Sequence, residues 1–485
     1  MLFRHKHNEP TLSEQIRNGL ADSGRRQISL AFKLSVPAIM AQLSVIIMEY
    51  IDTAMVGSLG AEASASIGLI ATSTWLLMGI GSAFSAGFAV QVAHLLGAGK
   101  AEEARSVLRQ ALTGALFCSL ILLAVGVAIS GPLPRWLGGS PAINAGASAY
   151  FFIFALSIPI MQLNFLSAGM LRCSGNMVVP GVIGVVMCVL DISFNFFLIF
   201  PTREATLFGT AVTIPGAGFG VWGAALGTAL AELVCTVVML RSLWIHSKEL
   251  SLRGRPGSFK LKLTTLRRAM KIATPMGLER FINSAAQITI TIIVAPLGAF
   301  AIAANAFAVT AESLCYMPGY GISDAATTLV GQSLGADRRL LARRFAYITV
   351  GLGMAVMTLM GVVMYIAAPV LIGLMTPVPE ILSEGVMALR IEAWAEPMFA
   401  ASIVAYGAFV GAGDTVVPCI LNLGSMWVIR ITLAAILAPV MGLKGVWLAM
   451  CIELCCRGGM FLIRLRSGRW MNRIRKMNYA PVEDV

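Results

Sequence analysis

Carboxylate and amide side chains stand inside long apolar stretches of this sequence, at helical spacings that could hold a cation. Asp52 follows Gln42 and Glu49 in one stretch, and Asp191 precedes Asn195 by four residues in another. On a helix, Gln42 and Glu49 share a face with Asp52 one turn further on, and Asp191 and Asn195 are neighbours. In each group one side chain can bind a cation while another orients it. These positions therefore predict cation binding.

A polar stripe and a pair of acids occur in the second half of the chain. Glu279, Asn283 and Gln287 recur every four residues, so on a helix they form one stripe that would not face lipid. Glu392 and Glu396 stand one helical turn apart. We expect both groups to face the interior of a helical bundle.

Of these two acids we favour Glu396 as a functional group. Pro397 follows it directly and would free a backbone carbonyl one turn earlier, which is the kind of broken backbone that lines cavities. Arg390 lies close to Glu392 in the sequence and is expected to neutralise it.

The composition places these side chains in a membrane protein. Hydrophobic residues make up 57% of the 485 residues and charged residues 12%, whereas soluble domains have roughly 45–50% apolar and about 25% charged residues. Uncharged runs such as 345–378 exceed the roughly 20 residues that a helix needs to cross a bilayer. These runs are not polar at every second position, so the spanning elements are helices rather than the strands of an outer-membrane barrel.

Apolar runs bounded by charges, Gly and Pro predict twelve membrane-spanning helices. In order, they are 29–57, 66–96, 107–130, 148–170, 178–200, 219–241, 270–295, 303–333, 345–374, 386–410, 416–439 and 443–464. A charge at mid-bilayer costs about 2.5–3.5 kcal/mol, so acids inside the spans are functional candidates, with helix–helix hydrogen bonding as the alternative role. Further polar residues with either role are Asn164, Glu232, Glu312, Asp324 and Glu453.

The distribution of positive charge predicts the orientation of the chain. All but six of the 36 Lys and Arg residues fall on one side, which includes both termini. The exceptions are Arg135, Arg203 and Lys444 on the opposite side and Arg280, Arg390 and Arg430 within spans. By the positive-inside rule the rich side is cytoplasmic, which predicts a multi-pass protein of the plasma membrane, the inner membrane of a bacterium. The net charge of +12 is thereby explained without nucleic-acid binding.

The first half of the chain recurs in the second half at a displacement of 238 residues, which brings Lys33 onto Lys271 and Pro37 onto Pro275. The Leu-Gly-Ala at 96–98 likewise matches that at 334–336. Each unit has six helices, so the halves enter the membrane in the same sense. We therefore expect an all-α integral membrane fold of two six-helix bundles related by a pseudo-two-fold axis along the membrane normal. The acids are not duplicated, so we expect a distinct polar site in each bundle.

The repeat and the charge pattern together predict the domain organisation. The segments are a cytoplasmic tail at 1–28, a bundle at 29–241, a basic cytoplasmic linker at 242–269, a second bundle at 270–466 and a cytoplasmic tail at 467–485. The cleft between the bundles would be complete within one chain, which favours a monomer. Rocking of one bundle on the other would open that cleft to each side in turn.

Sequence signatures of enzymes and of ATP use are absent. No G-x-x-x-x-G-K-[ST] loop, G-x-S-x-G elbow or H-E-x-x-H pair occurs, and the nine cysteines have no paired spacing typical of a disulfide framework or zinc site. We expect neither an enzyme nor a bound cofactor. An ion gradient is the remaining source of energy.

Several short motifs, in order and in both halves, resemble the MATE (multidrug and toxic compound extrusion) family. They are Pro37, the Asp-Thr-Ala-Met-Val-Gly at 52–57, Leu-Gly at 59–60, Gly-Ala-Gly at 97–99, Arg172 with Gly175, Pro275, Leu-Gly at 297–298, Leu-Val-Gly-Gln at 329–332, Leu-Gly-Ala at 334–336, and Gly411 with Gly-Asp-Thr at 413–415 and Pro418. The resemblance covers nearly the whole chain.

The resemblance implies an antiporter, driven by protons or sodium, that exports small amphipathic and often cationic compounds. It implies that Asp52 binds the coupling ion with Asp191 and Asn195, which could also form a sodium site. The order of Asp191 and Asn195 is reversed relative to the common family pattern, which leaves proton and sodium both open. It further implies second-bundle acids at Glu279 and Glu396. The alternative is a lipid-linked saccharide flippase of the same superfamily, which would need a cationic cavity.

Overall fold

The computed structural model describes residues 10–207 and 210–472, and for 205–207 and 210–212 it describes the backbone alone. The ends of the two predicted cytoplasmic tails, 1–9 and 473–485, lie outside these ranges. The helices of the first half are α1 Leu12–Arg17, α2 Gly24–Gly57, α3 Ala61–Gly97, α4 Ala101–Ser130, α5 Leu133–Trp136, α6 Pro141–Cys173, α7 Val178–Ile199 and α8 Val221–Arg241.

The helices of the second half are α9 Leu263–Val294, α10 Ala299–Gly335, α11 Arg339–Gly373, α12 Pro379–Glu392, α13 Glu396–Gly411, α14 Val416–Gly424, α15 Thr432–Met441 and α16 Leu443–Ser467. Two π-helical segments, Ser242–His246 and Ser425–Ile431, follow α8 and α14. Within the described ranges, eleven helices are long and apolar enough to cross a membrane, and α12 with α13 forms a twelfth, bent by 60°. The all-α integral membrane fold with twelve spans is confirmed.

The observed elements differ from the predicted ones mainly at their ends. Helix α9 begins at Leu263 rather than at 270, so the non-helical linker is shorter than the predicted 242–269. Hydropathy detects only the apolar part of a helix, whereas the helix itself continues into charged residues beyond the bilayer. The predicted helix 386–410 is broken between Glu392 and Glu396, next to Pro397. A hairpin of β1 Pro201–Leu207 and β2 Thr210–Ala217, paired antiparallel, was not predicted.

The first span of each half packs against its own fifth span and against the second span of the other half. Helix α2 contacts α7 and α10, and α9 contacts α14 and α3. Close approach needs glycine at these crossings, because a Cβ on Gly87 would lie 2.4 Å from the carbonyl oxygen of Ala269 in α9. In both halves a glycine with positive φ, Gly60 at 117° and Gly298 at 100°, turns the chain from the first span into the second.

The two halves meet along α3 and α10, at the end of the bundles that carries the linker, α1 and the end of α16, here called the linker end. A Cβ on Gly97 would lie 2.1 Å from the carbonyl oxygen of Gln332, and a Cβ on Gly335 would lie 2.1 Å from that of His94. The displacement of 238 residues carries Gly97 onto Gly335 and His94 onto Gln332. The contact is therefore related by the pseudo-two-fold axis that the repeat predicts.

Two hydrogen bonds at the linker end follow the same symmetry, and we call them the linker-end bonds. The side chain of Gln332 donates to the carbonyl oxygen of Cys173 at 2.7 Å, and His94 Nε2 lies 2.7 Å from the carbonyl oxygen of Gly411. Each bond joins the second span of one half to the fourth span of the other, and Cys173 and Gly411 are also 238 residues apart. The side chains of His94 and Gln332 are buried. The linker end is thus closed by matching contacts.

Helix α1 lies across this closed end, within the segment 1–28 that was predicted as a cytoplasmic tail. Arg17 donates to the carbonyl oxygen of Leu96 at 3.3 Å, and Arg338 of the second half donates to that of Ile16 at 2.7 Å. The side chain of Ile16 is fully buried. The segment before the first span therefore contacts both halves.

Candidate functional site

Asp52, Asp191 and Asn195, which the sequence suggested as one group, meet between α2 and α7. The Asn195 amide nitrogen donates to Asp52 Oδ1 at 2.8 Å and to Asp191 Oδ2 at 3.0 Å. Asp191 and Asn195 are fully buried, and Asp52 is half-buried. We call these three residues the Asp52 cluster. Its two carboxylates share one amide as donor, so a further positive charge or proton would relieve their repulsion.

The backbone of α8 holds Asn195 in this position. A Cβ on Gly227 would lie 2.0 Å from Asn195 Oδ1, so only glycine leaves room for the amide. Asp191 Oδ1 and Asn195 Oδ1 are buried and have no hydrogen-bond partner in the described part of the chain. An unsatisfied buried acceptor costs about 1–3 kcal/mol. These oxygens therefore suit a proton or a small hard cation such as sodium.

The remaining first-bundle candidates lie around this cluster. Glu49 is half-buried one turn before Asp52 on α2, and Gln42 is half-buried three turns before it, with no side-chain hydrogen bond among the described residues. Asn164 of α6 is bonded instead to Glu232 of α8, at 2.7 Å. No group of three or more His, Cys, Asp or Glu side chains within 10–207 and 210–472 is arranged to hold a metal ion.

Glu279 occupies a separate site in the second half, between α9, α13 and α14. The Asn422 amide nitrogen donates to Glu279 Oε1 at 2.6 Å, and the Tyr406 hydroxyl donates to Oε2 at 2.8 Å. Tyr406 and Asn422 were not predicted, because the sequence signal was a set of acids one or two turns apart, and neither residue stands within two turns of an acid on its own helix. Both carboxylate oxygens of Glu279 are thus satisfied by neutral donors.

The rest of the predicted stripe does not join Glu279. Gln287 is exposed, and Asn283 is half-buried with no side-chain hydrogen bond in the described ranges. Gln287 is therefore not a neighbour of Glu279, and its place in the cavity stays a prediction. Helix α14 contacts α9 and supplies Asn422 to Glu279.

Glu392 and Glu396 flank the break between α12 and α13 and form a third polar region. Both are fully buried, and none of their four carboxylate oxygens has a hydrogen-bond partner among the described residues. The charged groups facing Glu392 are Glu312, Glu453, Arg430 and Arg457. Glu453 is already paired with Arg457 through two bonds of 2.7 Å. Glu396 and Glu279 were expected in one second-bundle site, but they lie among different side chains.

Arg390 does not neutralise Glu392, and that prediction is wrong. Its guanidinium lies 5.2 Å from the centroid of the Tyr365 ring and donates to the Tyr365 carbonyl oxygen at 3.5 Å. Residues two apart on a helix point to different sides. Arg390 and Glu392 are therefore close in sequence, but Arg390 points out of the bundle and Glu392 points into it. The cations facing Glu392 are instead Arg457, which is paired with Glu453, and Arg430 from the π-helical segment that follows α14.

Known proteins resemble this chain over nearly its whole length. The family model described as MatE matches residues 37–197 and 275–436, one stretch in each half. The probable multidrug resistance protein NorM of Thermotoga maritima is 25% identical over 446 residues, which are 91% of this chain and 92% of that protein. The NorM of Pseudomonas aeruginosa is 27% identical over 449 residues, covering 89% of this chain and 87% of the relative.

Solved structures agree in fold. The chain superimposes on a crystal structure of the MATE transporter VcmN of Vibrio cholerae with a TM-score of 0.82 at 18% identity, over 94% of this chain and 99% of the other. A MOP superfamily transporter from Pyrococcus furiosus gives a TM-score of 0.84 at 19% identity, over 98% of this chain and 100% of the other. At these identities the likeness establishes the twelve-helix, two-bundle architecture.

Proposed function

The chain belongs to the MatE family, and from that premise we propose that it is a secondary active antiporter. It exports small amphipathic compounds, mostly cationic, in exchange for protons or sodium ions. The proposal agrees with the description of its NorM relatives as probable multidrug resistance proteins. It also agrees with the absence from the sequence of any ATP-binding or enzymatic motif.

The observation that carries this proposal is the Asp52 cluster. Two carboxylates share a single amide donor, and further buried oxygens there have no partner in the described part of the chain. Such a group changes its interactions when a proton or cation binds or leaves. A proton moving through about 150 mV supplies about 3.5 kcal/mol, enough for a concentration ratio of a few hundred. One coupling ion per cycle is therefore sufficient.

In the proposed cycle, the bundles at 29–241 and 270–466 rock about their shared interface. The linker-end bonds and the contacts of Gly97 and Gly335 close one end of the cleft. These contacts break when the cleft opens to that end. The Asp52 cluster lies between α2 and α7, and α2 also contacts α10 of the other bundle. Ion binding at Asp52 can thus alter a helix that touches both moving units.

The chain is a multi-pass membrane protein, and we place it in the bacterial inner membrane with its linker end in the cytoplasm. The basic residues of the linker and of both predicted tails support that orientation. We propose that it acts as a monomer on small-molecule substrates within the bilayer, with no nucleic-acid partner and no cofactor other than the coupling ion. The closed contacts of the linker end lie within one chain, as a monomer requires.

The flippase alternative needs a cationic cavity for phosphate groups. Of the three arginines within spans, Arg430 faces the buried acid Glu392, and Arg390 lies on the ring of Tyr365. These positions favour the exporter, because only the third of these arginines, Arg280 next to Glu279, is left to line a phosphate site.

Cationic-dye efflux tests the proposal. Everted vesicles that contain the wild type, Asp52→Asn or Glu62→Gln would be driven in turn by a pH step and by a sodium step. Glu62 is an exposed acid at the start of α3 and serves as the matched control. We expect one of the two gradients to drive efflux in the wild type and control, and Asp52→Asn to abolish it.

Two results would change the assignment. If the wild type moves no dye with either gradient, the exporter proposal fails and the flippase becomes the better hypothesis. If Asp52→Asn pumps as well as the wild type, the coupling site moves to the second bundle, to Glu279 or Glu396.

A further inference from the structure

A buried acid outside the Asp52 cluster lies one helical turn closer to the linker end. Glu232 on α8 is 3% exposed, and its Oε1 accepts a hydrogen bond of 2.7 Å from the Asn164 amide of α6. The titratable groups that face it are Asp191 of α7, Tyr150 of α6 and Cys235 of its own helix. No Lys or Arg within the described ranges pairs with it. An ionised carboxylate without a cation beside it is costly in that position, so Glu232 would take up a proton offered by a neighbouring acid.

A small cavity lies beside this acid, between it and Thr228 of the same helix. Glu232 and Thr228 line it together with Tyr150 and Ser157, and its volume is about 20 Å³. A cavity needs roughly 10–15 Å³ and polar partners to hold one water molecule. The cavity therefore has room for one water between the hydroxyl of Thr228 and the carboxyl of Glu232.

Thr228 lies between the cavity and the cluster, because it lines the cavity, follows Gly227 at Asn195 and faces Asp191. Its hydroxyl donates to the carbonyl oxygen of Ala224 at 3.2 Å. Thr228 and Glu232 are four residues apart on α8, so Glu232 lies about 6 Å closer to the linker end. The groups are thus ordered along one path: Asp191, Thr228, the cavity and Glu232. A hydroxyl group or a water molecule that lies between two carboxyl groups can pass a proton from one to the other.

We propose that Glu232, held by Asn164, is the relay that receives the coupling proton from the Asp52 cluster and releases it toward the linker end. The proton leaves the carboxyl group of Asp191, which becomes a carboxylate, and passes through Thr228 or the cavity water to the carboxylate of Glu232. Glu232 then loses it to solution when the linker end opens. The relay rests on the proposed antiport and specifies the proton as its coupling ion.

The test compares Glu232→Gln with Ser157→Ala in reconstituted vesicles. The Glu232→Gln variant keeps a side-chain oxygen for the Asn164 bond but cannot carry the proton, whereas Ser157→Ala changes the same cavity without removing a titratable group. Two reactions are measured for each protein: dye efflux driven by a pH step, and dye exchange across the membrane at equal pH. Exchange does not require net proton release, so it reports folding and substrate binding.

We expect Glu232→Gln to slow pH-driven efflux by about tenfold or more while exchange stays close to that of the wild type. Ser157→Ala should retain both reactions, and Glu232→Asp should recover part of the pH-driven efflux. Infrared difference spectra recorded as the pH is raised should contain a protonated-carboxyl band in the wild type that Glu232→Gln lacks.

Three results would overturn the relay. Normal pH-driven efflux by Glu232→Gln, or an equal loss of efflux and exchange, would leave Glu232 with a structural role only. Efflux of the wild type driven by sodium and not by pH would retain the antiport and remove the relay. Efflux driven by neither gradient would remove both the antiport and the relay.

Discussion

His94 and Gln332 make equivalent bonds at the linker end, each from its own half to the other, whereas the buried acids differ between the halves. In each half an acid on the first span is bonded to an asparagine on the fifth span: Asp52 to Asn195, and Glu279 to Asn422. The 238-residue displacement does not superimpose these pairs. The positions equivalent to them in the opposite half are Ile290 and Leu433, and Ala41 and Gly184.

The two acid–amide pairs therefore lie at different depths between equivalent helices. Asp52 is eleven residues further along its span than the position that matches Glu279, which is about 16 Å on a helix. The duplicated fold retained the small residues that let the halves touch, and each half acquired its acids separately. The difference indicates that both halves close the linker end in the same way, whereas each ion-binding acid belongs to one half only.

The surroundings of the two acids differ as well. Asp52 shares its amide donor with a second carboxylate, whereas both oxygens of Glu279 receive bonds from neutral groups. A carboxylate satisfied in this way has less need of an additional ion. We therefore expect substitutions around Asp52 to affect coupling and substitutions around Glu279 to affect mainly stability.

The largest effect is expected from Gly227→Ala, which would displace Asn195 from Asp52. The added Cβ would lie 2.0 Å from Asn195 Oδ1. Loss of a hydrogen bond to a charged group costs about 1.5–3 kcal/mol, so ion-driven efflux should fall by about tenfold or more. Gly184→Ala is the matched control, because its Cβ would make only ordinary contact, at 3.4 Å from the Cα of Ala41.

Thermal unfolding of the same variants separates displacement from misfolding. The double variant Gly227→Ala with Asn195→Ala removes the steric clash and should regain stability without regaining coupling. Normal ion-driven efflux by Gly227→Ala would contradict the role given to Asn195.

A smaller effect on transport is expected from Tyr406→Phe in the second half. It removes one donor from Glu279, and a buried acceptor left unsatisfied costs about 1–3 kcal/mol of unfolding free energy. Denaturant or thermal unfolding would measure that loss, and ion-driven efflux should change less than in Asn195→Leu. If Tyr406→Phe instead abolishes coupling at unchanged stability, Glu279 rather than Asp52 is the coupling site.

The linker-end bonds test whether the two halves contribute equally to closing the linker end. His94→Leu and Gln332→Leu each remove one bond worth about 0.5–1.5 kcal/mol, so each should increase opening of the linker end by about two- to tenfold. The buried thiol of Cys173 reports this opening through its rate of labelling by a maleimide, mapped by mass spectrometry.

Gln162→Leu is the control for these variants, because the Gln162 side chain donates to Gly81 within the first bundle. Labelling of Cys173 should remain slow in the Gln162→Leu variant. Unequal effects of His94→Leu and Gln332→Leu would show that the closure is not shared evenly by the halves.

The smallest effect concerns α1, which has no counterpart in the second half. Burial raises the pKa of Glu249 above its ordinary value, although Ser13 and Thr11 donate hydrogen bonds to it. The protonated form is therefore favoured in the folded state, and its contribution is present below the ordinary pKa and lost as the pH rises through the raised value. Proteolysis near α1 should become faster over that range, and Glu249→Gln should remove this pH dependence. An unchanged pH dependence in Glu249→Gln would exclude this carboxyl as its source.

Local patterns in the sequence were sufficient for the spans and for part of the first site. Hydropathy over about 20 residues located the twelve spans, because the bilayer imposes that length on every helix. The spacing of Asp191 and Asn195 placed them side by side, because neighbours on a helix depend on its period alone. The same reasoning failed for Arg390, which points away from Glu392, while the role of Gln287 in the cavity stays a prediction.

The sequence by itself determined the twelve helices, their duplication and the acids that no lipid-facing surface would accommodate. Tertiary structure decided which of those acids meet: Asp52 and Asn195 are 143 residues apart, as are Glu279 and Asn422. It also brought Asn164 to Glu232 and closed the linker end through His94 and Gln332. The physical reason is that a helix fixes the direction of each side chain about its own axis, whereas the rotation and depth of one helix against another depend on packing along their whole length.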